Sequence, residues 1–209
     1  MSKHPIFRDY LEKPIPEIFK AAELLSKAVD AHIGGDPRTA NNLLKLADYP
    51  EIYDWTERLW GKNSFRRHYE LDEPLPIIPK EERLKPRMPR AAHKREIIER
   101  DGYYCRFCGI PVIPREVCKF LVELYPEAMR WGPANKDRHT ALLAMDMVFD
   151  HVLPHSRGGS SYPNNMVVAC QPCNCGRMEN TLEEMGMSDP MTREMKIGSW
   201  DGLTRLLKT

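Results

Sequence analysis

The chain has 209 residues, 42% of them hydrophobic, with a formal net charge of +1 from 31 basic and 30 acidic side chains, which is room for one sizeable domain or two small ones with a real core. Its first residues, MSKHPIFRDYLEKP, lack an apolar signal-peptide stretch, and no run of about 18 apolar residues occurs, so neither a secretory leader nor a membrane span is expected and the cytoplasm is the expected compartment. In a reducing compartment the six cysteines are expected as thiols or metal ligands, not disulfides.

From the N-terminus, Pro16 to Ile33 predicts an amphipathic helix: Ile18, Ala22, Leu25 and Val29 fall four, three and four residues apart, and Gly34-Gly35 supplies the stop. A second helix is expected over Thr39 to Ala47. A third is expected from Asp48, which forms an Asp-x-x-Glu cap with Glu51 around Pro50 and puts Ile52, Trp55 and Leu59 on one face until Gly61. Trp55 and Trp60 read as core or interface residues at that spacing. Residues 1–73 are therefore expected to form a mainly helical N-terminal region.

Five prolines between Pro74 and Pro89 forbid a regular helix and predict an extended linker over residues 74–92. Arg83 to Arg95 holds six Lys or Arg and no acid, a local excess that the net charge hides and that suits a polyanion. The remainder, 93–209, opens with a short helix, a turn at Asp101-Gly102 and a knuckle carrying Cys105 and Cys108, closed by Gly109. A helical insert over about 110–147 follows, with Val117, Leu121 and Leu124 on one face and a further helix at Ala141–Met147. MVFDHVLP reads as a strand, Gly158-Gly159 lies in a loop, Met166–Ala169 as a second strand, and CNCGRMENTLEEMG from Cys173 as a helix. The expected fold class is α+β.

Cys105/Cys108 and Cys170/Cys173 are two Cys-x-x-Cys pairs. A two-residue gap lets one turn aim both sulfurs at one ion, and four thiolates satisfy tetrahedral zinc. The 61 residues between the pairs must carry structure of their own. Cys118 and Cys175 lack the spacing of ligands and read as packed or free thiols.

CRFC, then DHVLPHSRGG, then NMVVACQPCN, and finally NCGR, resemble in order the motifs of the HNH nuclease family, over roughly residues 93–188. The resemblance implies a ββα-metal core. It implies that Asp150 and Asn174 ligate a catalytic divalent ion, that His151 is the general base, and that Asn165 pins the loop behind the base. A carboxylate with an amide oxygen suits Mg²⁺ or Mn²⁺. An ordinary histidine can accept a proton near neutral pH, whereas on an extended strand Asp150 is expected to face away from His151. Arg177 stands where the family often has Lys; with Arg157, His155, Arg87, Arg90, Lys94 and Arg95 it is a candidate for phosphate contact.

The expected activity is metal-dependent hydrolysis of phosphodiester bonds in DNA, with RNA left open because nothing in the motif reads a 2′-hydroxyl. Two other readings compete: a zinc module that binds nucleic acid without cutting it, and a nuclease subunit recruited to a protein partner through its helical N-terminal region.

Overall fold

The computed structural model describes residues 7–61, 69–194 and 198–208. Residues 62–68, within the stretch expected to be helical, lie outside the described residues. The protein is α+β: a mainly helical N-terminal region and a small two-stranded sheet beside a four-cysteine cluster.

Helix α1 is Pro16–Ile33, with proline at its start and Ile18, Ala21, Ala22, Leu25, Ala28 and Val29 buried along one stripe. Helix α2, Pro37–Leu46, begins two residues before the expected Thr39 because the Asp36 carboxylate accepts the Thr39 N–H at 3.0 Å and fixes the first turn there.

Helix α3 is Pro50–Trp60, but the expected cap at Asp48 is not made: Tyr49 is the capping residue and offers no side-chain bond. The Asp48 carboxylate turns instead to the Thr140 N–H at 2.8 Å and to Arg130 at 2.7 Å. A charged partner and a helix start elsewhere in the fold outcompete the local cap. Trp55 is fully buried, its indole N–H donating to the Lys13 carbonyl at 2.9 Å, so it forms no recruiting surface.

From Leu75 to Arg90 the chain is irregular, with a 3-10 turn at Lys80–Glu82 and bends between Arg83 and Met88. Helix α4, Ala91–Asp101, ends at Gly102 (φ 62), where a left-handed residue turns the chain into the first knuckle. Helix α5, Arg115–Leu124, buries Val117, Cys118 and Leu121. Helix α6, Thr140–Met145, is buried along its whole length and packs on α3 and α1.

Strands β1 (Met147–His151) and β2 (Met166–Cys170) pair antiparallel, from Met147 opposite Cys170 to His151 opposite Met166. Helix α7 is Gln171–Arg177, starting before the expected Cys173 because Pro172 suits a first turn, and far shorter than expected. It stops where Met178 adopts φ 54 and Asn180 bonds back to the Arg177 carbonyl. Helix α3 packs directly on α7: a Cβ at Gly176 would stand 3.2 Å from the Leu59 carbonyl oxygen, so glycine suits the close approach. The N-terminal helices, the insert and the sheet share one hydrophobic core. Among the described residues no helix is long and apolar enough to cross a membrane.

His139 joins these parts. Its Nε2 lies 2.9 Å from the Leu44 carbonyl, which can only accept, and its Nδ1 accepts the Ala141 N–H at 3.3 Å, so the ring is held neutral with the proton on Nε2. Burial lowers its pKa below the ordinary 6.5, with the Asp48 charge opposing. The unfolded chain therefore binds a proton at this ring before the folded one does, and stability is lost as pH falls below about 6.5. Melting temperature is expected to drop between pH 7.5 and 5.5, less steeply for His139→Gln, which keeps the Nε2-like donor without a titrating ring; parallel pH–melting curves would rule this out.

Candidate active site and metal centre

Two turns bring the cysteines together. In the first, the Gly109 N–H donates to the Cys105 carbonyl at 2.7 Å with Gly109 at φ 78, and the Cys105 N–H donates to the Ile110 carbonyl at 2.9 Å. In the second, Cys170 ends β2 and Cys173 sits in the first turn of α7. The Arg106 N–H donates to the Val168 carbonyl at 2.9 Å and the Asp101 carboxylate accepts the Val168 N–H at 2.9 Å, fastening the knuckle to β2.

The four sulfurs are buried and lie within 4.8 Å of one another, with Cys108 Sγ 3.8 Å from Cys170 Sγ. A tetrahedron with metal–sulfur bonds of about 2.3 Å has edges of about 3.8 Å, so this spacing fits one tetrahedral ion. Burial raises the Cys105 thiol, yet the three thiols facing it draw it well below its ordinary value; Cys170 is driven well up by burial and by Cys105 and Cys108. Holding all four as thiolates in so buried a place would require a cation among them.

The loop after β1 closes on Asn165. Its Oδ1 accepts the Leu153 N–H at 2.9 Å, while its Nδ2 donates to the carbonyls of Leu153 (3.1 Å) and Ser160 (2.8 Å). A Cβ at Gly159 would overlap the Leu153 carbonyl oxygen, and Gly158 sits at φ 91, so the Gly-Gly pair is what lets the loop turn this tightly.

Asp150, His151, His155 and Asn174 line one cavity of about 390 Å³, with Arg83 and Arg87 at its edge. Asp150 and His151 do not face opposite ways as strand alternation implies, because β1 ends at His151 and the chain turns there; the Asp150 Oδ1 accepts its neighbour's own N–H at 2.8 Å. Burial pushes the Asp150 carboxyl up, and Arg177 opposes this by donating to its Oδ2 at 2.8 Å. Burial lowers the His151 pKa to about 4, with His155, Arg177 and Arg87 adding positive charge nearby, so the ring is neutral at pH 7.

The candidate phosphate contacts divide. Arg87 lines the cavity, and Arg87, Arg90, Lys94 and Arg95 are all exposed. Arg177 is fully buried: it donates to Asp150, to the carbonyls of His151, Val152 (3.4 Å) and Asn180 (2.9 Å), and stacks on Phe107 at 5.2 Å. It is an internal tie, not a phosphate contact. Arg157 is likewise spent, on Glu184 at 3.0 Å and on the carbonyls of Leu75 and Glu179. The His155 Nε2 donates to the Leu84 carbonyl at 2.6 Å. Ser161, which sequence reasoning passed over, lies 3.0 Å from His151 Nε2; in SRGGSSYPNN nothing distinguishes it from other loop serines.

Asn165→Ala removes three hydrogen bonds to loop backbone and is expected to cost about 1–3 kcal/mol. Asn165→Asp should cost at least as much despite its matching shape, because a carboxylate oxygen would then face the Leu153 and Ser160 carbonyls. Denaturant unfolding checks the order; an Asp variant as stable as wild type contradicts it.

No curated protein and no solved structure matches the chain. Residues 143–189 match the family described as HNH endonuclease. The matched stretch runs from the end of α6 through β1, the loop, β2 and α7, and so contains Asp150, His151, Asn165, Cys170, Cys173 and Asn174 but not the first cysteine pair. Through this segment the chain is similar to the HNH endonuclease family.

Proposed function

We propose that the protein is a metal-dependent endonuclease that hydrolyses phosphodiester bonds in DNA, with His151 as general base. The observation that carries this reading is that Asp150, His151 and Asn174, which come from a strand end and a separate helix, line one cavity within the family-matched segment.

Asp150 and Asn174 would hold Mg²⁺ or Mn²⁺, and the donor chemistry fits. Each Asp150 oxygen accepts one hydrogen bond and keeps a lone pair, and few protein oxygens are needed because such ions retain water and bind phosphate. Bound there, the ion would supply positive charge for the phosphate and the departing oxygen. The neutral His151 ring accepts the proton of the attacking water at its free ring nitrogen. Arg177 holds the Asp150 carboxylate and the His151 backbone in mutual register. Exposed Arg87, Arg90, Lys94 and Arg95 attract and orient the phosphate backbone without reading bases. Zn²⁺ in the four-cysteine cluster would be structural, joining α7 and β2 to the first knuckle.

The test uses zinc-loaded protein with supercoiled plasmid, single-stranded DNA and RNA in Mg²⁺, Mn²⁺ or EDTA. Wild type is expected to cut DNA only with the divalent ion, and folded His151→Ala to cut about 10² to 10⁴-fold more slowly. His151→Ala cutting at the wild-type rate removes the base assignment, and a folded, zinc-loaded wild type that binds DNA without cutting it favours a binding module. Elemental analysis is expected to give one zinc per chain, with Cys173→Ser losing zinc and melting at lower temperature; full thermal stability of metal-stripped protein contradicts the structural role.

A further inference from the structure

The Pro-rich segment reaches the active site through backbone atoms. Over residues 75–88 it runs along the loop that follows β1: the Ile78 N–H donates to the Ser156 carbonyl at 2.8 Å, Arg157 donates to the Leu75 carbonyl, and His155 Nε2 donates to the Leu84 carbonyl. Leu75, Ile77, Leu84 and Met88 are 47–53% exposed, so little apolar burial fastens this strap and hydrogen bonds carry most of the hold. Its last contact is the Arg87 carbonyl, which receives the Ser161 hydroxyl at 2.8 Å, and Ser161 Oγ in turn lies 3.0 Å from His151 Nε2.

The direction of this chain follows from counting protons. A carbonyl only accepts, and a serine hydroxyl has one proton to give. At 2.8 Å that proton must lie towards Arg87, since otherwise two oxygen lone pairs would face each other. Ser161 Oγ is then an acceptor towards the ring, and His151 Nε2 must carry a hydrogen. A neutral imidazole has one ring proton, so the lone pair is at Nδ1, which makes no hydrogen bond among the described residues. His155, whose ring centre is 5.5 Å from that of His151, is held by the same strap at the Leu84 carbonyl.

We infer that Ser161 is a positioning residue for His151: through it the Arg87 carbonyl of the strap fixes the ring proton on Nε2 and leaves Nδ1 as the proton-accepting nitrogen, which makes the docked strap part of the active site. Its catalytic consequence rests on the nuclease reading, whereas the tautomer itself does not. The sequence hides this link, because the strap contributes a main-chain oxygen and the loop one serine among several.

Ring ¹⁵N–¹H spectra of the zinc-loaded full chain at pH 8, with His151→Gln to assign the signal, test the tautomer directly. Wild type and Ser161→Thr are expected to show a His151 Nε2–H signal protected from exchange, and Ser161→Ala to lose that protection. With DNA, Ser161→Ala is expected to lower kcat about tenfold or more while KM stays within about twofold, and Ser161→Thr to restore most of the rate. A ring proton on Nδ1 in wild type overturns the inference, as does an unchanged His151 signal in folded Ser161→Ala. If Ser161→Ala does not fold, wild type and Ser161→Thr still decide the tautomer. If the wild type cuts nothing, the nuclease reading falls while the ring spectra still establish or overturn the tautomer.

Discussion

Four sulfur atoms within 4.8 Å of one another fix the geometry on which the rest of the half that holds the candidate site depends. Two of them come from a turn before the helical insert and two from the junction of β2 with α7, so the cluster closes the whole insert into a loop. A sheet of two five-residue strands has little stability alone. Here it gains support from the knuckle, where Asp101 and Arg106 bond the Val168 main chain, and from α7, whose first turn contains Cys173 followed directly by Asn174. The position of a candidate metal ligand is thus set by the adjacent sulfur, and any ion holding the sulfurs also holds the helix of the candidate site.

The second constraint is electrostatic. Arg177 has no exposed surface, and its guanidinium bridges α7 to the end of β1 through Asp150 and the His151 carbonyl. Removing one partner of such a buried pair costs about 3–5 kcal/mol because the other charge is left in a poor solvent for it. The arrangement is not fully satisfied: Arg177 Nε has no hydrogen-bond partner among the described residues. Polar tension of this kind is tolerated where it orients a site, since the same guanidinium holds Asp150 and His151, two of the residues that the proposed reaction uses. A lysine there has one compact ammonium and could not hold four acceptors in one plane-directed fan.

What was legible in the sequence was whatever depends on spacing. The stripe of α1, the cysteine pairs and the two strands are each set by residues near one another in the chain. What was not legible depends on distant partners. Asp48 has the local pattern of a helix cap and caps α6 instead, because Thr140 and Arg130 come to it only after folding. Arg177 and Arg157 have the composition of phosphate contacts and are taken inward by Asp150 and Glu184. Helix α7 was expected to run on through an apparently helical stretch, and it stops at a left-handed Met178 held by the Asn180–Arg177 bonds. For Asp48, Arg177 and Arg157 alike, a charge found a partner far along the chain that local pattern could not name.

The N-terminal helices then acquire a mechanical role. Helix α3 meets α7 closely at Gly176, two residues beyond Asn174 and one before Arg177, where a Cβ would stand 3.2 Å from the Leu59 carbonyl oxygen. Helix α6, seated on α3 and capped by Asp48, leads within two residues into β1, which ends in Asp150 and His151. Helix α7 rests on α3 directly and β1 follows the helix, α6, that does, so a displacement of α3 would reach the candidate carboxylate and amide together. Close-packed interiors transmit such shifts with little loss, so the region outside the family match acts as the bed on which the matched segment is aligned.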